Sequence, residues 1–139
     1  MIQLDDQMAE AVNNAVADGT PCQIGTASAS GMPNISYRGS VMVFDQEHIA
    51  FWERAKGGSL SNLAENPQIE IFYRNRDRGL SWRFYGRASI HASGLLREQV
   101  MARVIEVEIK QDPERTGIAV VIRVDRVANG RGETLQTRE

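Results

Sequence analysis

The feature that most constrains this chain is a change of hydrophobic period near residue 21. Before it, Leu4, Met8, Ala11, Val12 and Ala15 recur at helical spacing and mark one apolar face. Asp5 and Asp6 fall in the first turn, at the positive end of the helix dipole, and Gly19 and Pro21 stop the helix. After it, the chain reads as short β-rich runs. Cys22 to Ser28 suits a strand, Ser30-Gly31 a turn, and Ile35 to Phe44 a second strand. An Asp45-Gln46-Glu47 turn leads into a third, His48 to Glu53. Links this short leave no room for a crossover, so these strands pair antiparallel.

Lys56-Gly57-Gly58 breaks the pattern. A short helix capped by Ser59 or a neighbour runs through Asn66 and ends at Pro67. Gln68 to Arg74 alternates Ile69, Ile71 and Tyr73 against Glu70, Phe72 and Arg74, and Asn75 to Gly79 is a charged turn. Leu80 to His91 is a long strand with Gly86 as a bend or bulge. A helix capped by Ser93 extends to Gln111 and stops at Asp112-Pro113. Ile118 to Val127 is the last strand, and the polar tail after Asn129 reads as loose. About six strands in adjacent runs, with three helices, predict a mainly β fold with flanking helices. An antiparallel barrel suits this order better than a Rossmann sheet. Residues 1–139 form one domain with a core of about 4–128.

Composition narrows the function classes. The length of 139 residues suffices to bury a core without staples. Sixteen basic against eighteen acidic residues give a net charge of -2, which argues against coating nucleic acid, though not against a local pocket for one phosphate. Cys22 is the one cysteine, so neither an internal disulfide nor a cysteine-based zinc site is expected. No stretch approaches the roughly 20 apolar residues of a membrane span, and the acidic start lacks the pattern of a signal peptide. A cytoplasmic protein without membrane or nucleic-acid partners is the expectation.

Several words, in order, carry a resemblance. They are Gly25-Thr26-Ala27-Ser28 with Gly31 and Pro33, Asn34 to Ser40, Ile49-Ala50-Phe51-Trp52, Leu60 with Asn62-Leu63 and Asn66-Pro67, and Trp82 to Ala88. Together, over about residues 4 to 128, the chain resembles the FMN-binding split barrels related to pyridoxamine 5'-phosphate oxidase. The resemblance implies an antiparallel split β-barrel, a homodimer with FMN held between subunits, and hydride transfer at flavin N5 to or from a small-molecule substrate. The same barrel elsewhere takes the deazaflavin F420 or haem, and a flavin, haem or F420 binding or sensor role without turnover, or a stress-associated dimer, is the alternative. The sequence departs from the oxidases in two ways, one being that their C-terminal substrate-binding motif is not evident in Gly132 to Glu139. Where they carry an Arg-Lys pair for the FMN phosphate, Gly58 and Ser59 stand here, with Arg54 and Lys56 just upstream.

The residues themselves bear on such a site. A phosphate wants cations and free backbone N–H groups, and Arg54 to Leu60 offers two cations, two glycines and a helix start. A plain solvated turn is the other reading of that stretch. The flavin ring wants a flat floor, and Ser36, Tyr37, Arg38, Gly39 and Ser40 hold an aromatic, a cation and a close-approach glycine in one strand. Phe51 and Trp52 face opposite sides of the next strand, so one belongs to the core. The cofactor-binding candidates are Ser36, Tyr37, Arg38, Gly39, Ser40, Trp52, Glu53, Lys56, Ser59 and Asn62, with Arg74 and Trp82 as residues that would complete the site from the second subunit. No catalytic side chain and no metal site is assigned. His48 and His91 are the residues a haem would have to use, and Cys22 reads as a buried strand residue.

Overall fold

A computed structural model describes all residues from Met1 to Glu139. The first helix, α1 (Asp6–Asn13), is capped by Asp5, whose Oδ1 accepts from the Met8 amide at 2.9 Å. Its buried residues Met8, Ala11 and Val12 plug one end of a curled sheet. The strands are β1 (Cys22–Ala27), β2 (Pro33–Arg38), β3 (Met42–Val43), β4 (His48–Glu53), β5 (Gln68–Asn75), β6 (Leu80–His91), β7 (Ile118–Asn129) and β8 (Thr134–Thr137). Their order is β2-β1-β5-β6-β7-β4-β3, with β8 on β7, and every pairing is antiparallel. The helices α2 (Gly58–Glu65), α3 (Leu95–Arg103) and α4 (Glu106–Ile109) flank it.

Period-2 alternation determines which side chains enter the barrel. Ile24 of β1, Ile69, Ile71 and Tyr73 of β5, Trp82 and Phe84 of β6, and Val120, Ile122 and Val124 of β7 fill a single core with Phe51 and Ile49 of β4. The opposite face of β3, β4 and β7 is also buried. There Met42, Ala50, Trp52, Ala119 and Val121 pack under Val100 and Val104, at α3 and its C-terminal end. The outer face of β2, β1, β5 and β6 has no such cover. Ile35 is 72% and Tyr37 65% exposed on it.

Several expectations are corrected. The run from Ile35 to Phe44 is two strands at opposite ends of the sheet, because Ser40 turns the chain. Its buried Oγ accepts from the Trp52 amide at 2.9 Å and donates to the Trp52 carbonyl at 3.0 Å, so a side chain takes the place of a ladder partner. The helix from Ser93 to Gln111 breaks at Val104-Ile105, both extended, where Val104 turns into the second apolar cluster. Gly94, at φ 98°, precedes α3 instead of a Ser93 cap, and Gly57 precedes α2 in place of Ser59, which lies inside the helix. The tail is not loose. It turns at Gly132 and adds β8 to β7, while the Met1 ammonium donates to the Thr137 carbonyl at 2.6 Å. The strands therefore number eight and the helices four. The bulge falls at Tyr85/Gly86, as the lone glycine of that strand led us to expect.

Candidate functional site

The start of α2 meets the end of β2, and this junction is where the predicted residues gather. Gly57 caps α2 without a side-chain hydrogen bond, so the first-turn N–H groups are left to water or a ligand. Ser59, buried in that first turn, places its hydroxyl 3.3 Å from the hydroxyl of Ser36 on β2. Arg38, two residues along the same face, donates from Nη1 to Ser36 Oγ at 2.9 Å and to the Tyr37 carbonyl at 2.7 Å. Glu53 of β4 accepts from Nη2 and Nε at 2.8 and 3.1 Å through Oε2, which leaves one Nη2 N–H of the guanidinium without a protein partner. The Glu53 side chain is 3% exposed and that of Arg38 18%, so this is a largely dry, oriented pair.

Two openings flank the junction. A small cleft of about 160 Å³ is lined by Tyr37, Arg38, Gly39, Trp52, Glu53 and Arg54, closed by Glu108 of α4. A Cβ at Gly39 would meet the Glu108 carboxylate, so the two elements touch closely here. A larger groove of about 560 Å³ crosses the uncovered outer face. Gly25, Thr26, Asn34, Ile35, Tyr85 and Arg87 lie along it. Two of its lining residues touch α2: Thr26 Oγ1 accepts from Asn62 at 3.1 Å, and Asn34 lies against Gly58 at the helix start.

The other candidates are placed as follows. Lys56, at φ 52°, is exposed one residue before the Gly57 cap. Ser40 is committed to the Trp52 backbone. Trp52 shows an edge to the cleft, but its Nε1 donates to Asp112 at 2.9 Å and the Arg97 guanidinium stacks 4.9 Å from its ring centre. Trp82 lies in the barrel core, stacked on Tyr73 at 5.6 Å. Arg74 is exposed in a separate polar groove of about 590 Å³ with Arg83, Arg131 and Ser81. The structure thus joins Ser36, Tyr37, Arg38, Gly39, Glu53, Ser59 and Asn62 and keeps Arg74 and Trp82 apart from them. Sequence reasoning missed Thr26, Asn34 and Glu108. Thr26 and Asn34 lie inside words that carry the resemblance, whereas α4 brings Glu108 to Gly39 from 69 positions away.

His48 Nδ1 lies 2.8 Å from Asp45 and His91 Nε2 lies 2.8 Å from Ser89, both away from the α2 junction. Cys22 is buried, and burial pushes its thiol up to about 12, which leaves it unreactive.

A curled antiparallel sheet with a bare outer face and a helix start against one corner defines a split barrel. The profile described as Pyridoxamine 5'-phosphate oxidase matches residues 8–129, and the chain belongs to that family. An uncharacterized protein of Methanocaldococcus jannaschii is 24% identical over 131 residues, covering 93% of this chain and 82% of its own. HupZ from group A Streptococcus is 26% identical with a TM-score of 0.75, covering 95% of this chain and 98% of its own. An FMN-binding protein from Syntrophomonas wolfei shares the fold at 13% identity and a TM-score of 0.70, over 98% of this chain and 91% of its own. The fold is also that of the haem storage protein HutZ from Vibrio cholerae, at 20% identity and TM-score 0.67, and of an F420 reductase, at 14% and 0.58. The fold therefore serves FMN, haem and F420 proteins. No helix is long and apolar enough to cross a membrane.

Proposed function

We propose that this chain is an FMN-binding oxidoreductase that works as a homodimer, with the flavin phosphate at the start of α2 and the ring on the outer face of the sheet. The observation that carries the reading is the cluster of Ser36, Ser59 and Arg38 at an α2 N-terminus that no side chain caps. The residues fit the group. A phosphate there finds two hydroxyls, free helix N–H groups, a guanidinium and the nearby Lys56, which offsets the missing Arg-Lys pair of the oxidases.

Glu53 has a positioning role in this scheme. By holding Nε and Nη2 it fixes the plane and position of the Arg38 guanidinium beside Ser36, so the cation is already in place when an anion arrives. Asn62 ties α2 to β1 through Thr26, which keeps the helix start against the groove. The bound flavin supplies hydride transfer at N5. The protein's part is to bind it and to exclude water, and the bare face of β2, β1, β5 and β6 calls for a second copy to complete that exclusion. The exposed Ile35 and Tyr37 make apolar contact surface for it. Arg74 would then act from the partner subunit.

Fluorescence titration with FMN tests the assignment. Lys56→Ala and Arg38→Gln should each weaken binding, Lys56→Ala by several-fold and Arg38→Gln by about tenfold or more, as expected for lost charge-assisted hydrogen bonds. Wild-type affinity in both variants would place the phosphate elsewhere.

A further inference from the structure

A second site lies on the far side of β6, where β4, β7 and β6 run side by side. His48 is in register with Arg123, and Arg123 with Arg87, so three adjacent strands carry cationic or titratable side chains in one row. Neighbouring strands are about 4.8 Å apart, and like charges directly opposite one another destabilise a sheet. The fold does little to relieve this. Arg87 makes no hydrogen bond or ion pair and is exposed. Arg123 has only Asp125, at 3.2 Å, and Asp125 is shared with Arg138 at 3.3 Å. Asp45 orients His48 through Nδ1, which leaves Nε2 to face outward.

The row borders a groove of about 440 Å³ with an apolar wall of Leu96 and Val121. Leu96 belongs to the first turn of α3, which begins at Gly94 without a side-chain cap. The β-bulge at Tyr85/Gly86 immediately precedes Arg87 and re-aims the strand at this point. A Cβ at Gly86 would run into the Arg123 carbonyl, so β6 and β7 approach as closely as they do only because residue 86 is glycine.

We infer that this groove binds a small organic phosphate, its anionic oxygens bridging Arg87, Arg123 and the Nε2–H of a His48 imidazolium and its apolar body lying against Leu96 and Val121. Two guanidiniums one strand apart match the oxygens of one dianion, and the apolar wall selects an ester over the free ion. The site shares Arg87 with the rim of the larger outer-face groove, but none of its residues belongs to the α2 junction, and it does not rest on the flavin reading.

Phenyl phosphate is the probe, titrated into the full-length protein and followed by ¹H–¹⁵N spectra of backbone amides and arginine Nε–Hε groups. Saturable shifts are expected at 87–89 and 121–123, with inorganic phosphate binding more weakly. Arg87→Gln and Arg123→Gln should each weaken phenyl phosphate about tenfold or more. Leu96→Ala should weaken phenyl phosphate and leave inorganic phosphate unchanged. Arg38→Gln should change nothing at this groove, and the thermal midpoint of Arg87→Gln should equal or exceed wild type, because a repulsion is removed. Absence of saturable shifts there, undiminished binding in Arg87→Gln, or shifts confined to residues 36–38 and 57–59 would each overturn the proposal.

Discussion

At the scale of single residues, Asp112 shows how one side chain fixes a loop. Burial alone would push its carboxyl up, but four hydrogen bonds outweigh that and hold it down at about 2. They come from the Thr116 amide and hydroxyl, at 3.0 and 3.2 Å, the Gly117 amide at 2.8 Å and Trp52 Nε1 at 2.9 Å. An unfolded carboxyl titrates near 3.9. Since the folded value is lower, the stabilisation is complete above about pH 4 and is lost as pH falls toward 2. Asp112→Ala leaves two buried donors without an acceptor and should cost about 2–3 kcal/mol at neutral pH. Thermal melts of wild type and Asp112→Asn from pH 7 to 2 check the sign. The gap between them should narrow below pH 4, and parallel curves would refute the role. None of this was legible in the sequence, where Asp112 reads as a helix stop before Pro113. The opposite facing of Phe51 and Trp52 was legible, because strand geometry alone dictates it. That both would be buried was not, since α3 and α4 cover the second face from about 50 residues downstream.

At the scale of elements, two strands bounded by clear turn signals were legible to the residue. His48–Glu53 and Leu80–His91 have the boundaries that their flanking turns dictate. The misreadings share a cause, which is long-range contact overriding local pattern. The β-rich run from Ile35 to Phe44 is cut by a hydrogen-bond pair between Ser40 and Trp52. The polar tail becomes β8 because an edge strand needs backbone partners more than an apolar face. Arg138 then donates from Nε and Nη2 to the Val124 carbonyl, at 3.1 and 2.8 Å, and pairs with Glu47 at 2.7 Å. Removing residues 131–139 should lower stability by on the order of 2–3 kcal/mol, several degrees in Tm for a chain of this size. A truncated protein melting with wild type would show that β8 is not part of the cooperative unit.

At the scale of the whole molecule, the family and the split barrel were legible from the order of short words, because their spacing reflects the order of strands. The candidate site was legible in part. Ser36, Arg38, Glu53 and Ser59 converge because β2, β4 and α2 meet at one corner, a convergence the family words encode. The distant placement of Arg74 and the burial of Trp82 were not legible, since both depend on which side of β5 and β6 faces the barrel. The account makes one demand on the whole molecule, namely that the bare face of β2, β1, β5 and β6 be closed by a second copy over a flavin. The most direct test is the visible absorption spectrum of the purified protein, with its mass in solution, before and after adding FMN. The account predicts a dimer whose paired flavin bands shift on binding at one FMN per chain. A sharp Soret band in the purified protein, or a colourless protein that leaves the FMN spectrum unchanged, would contradict it.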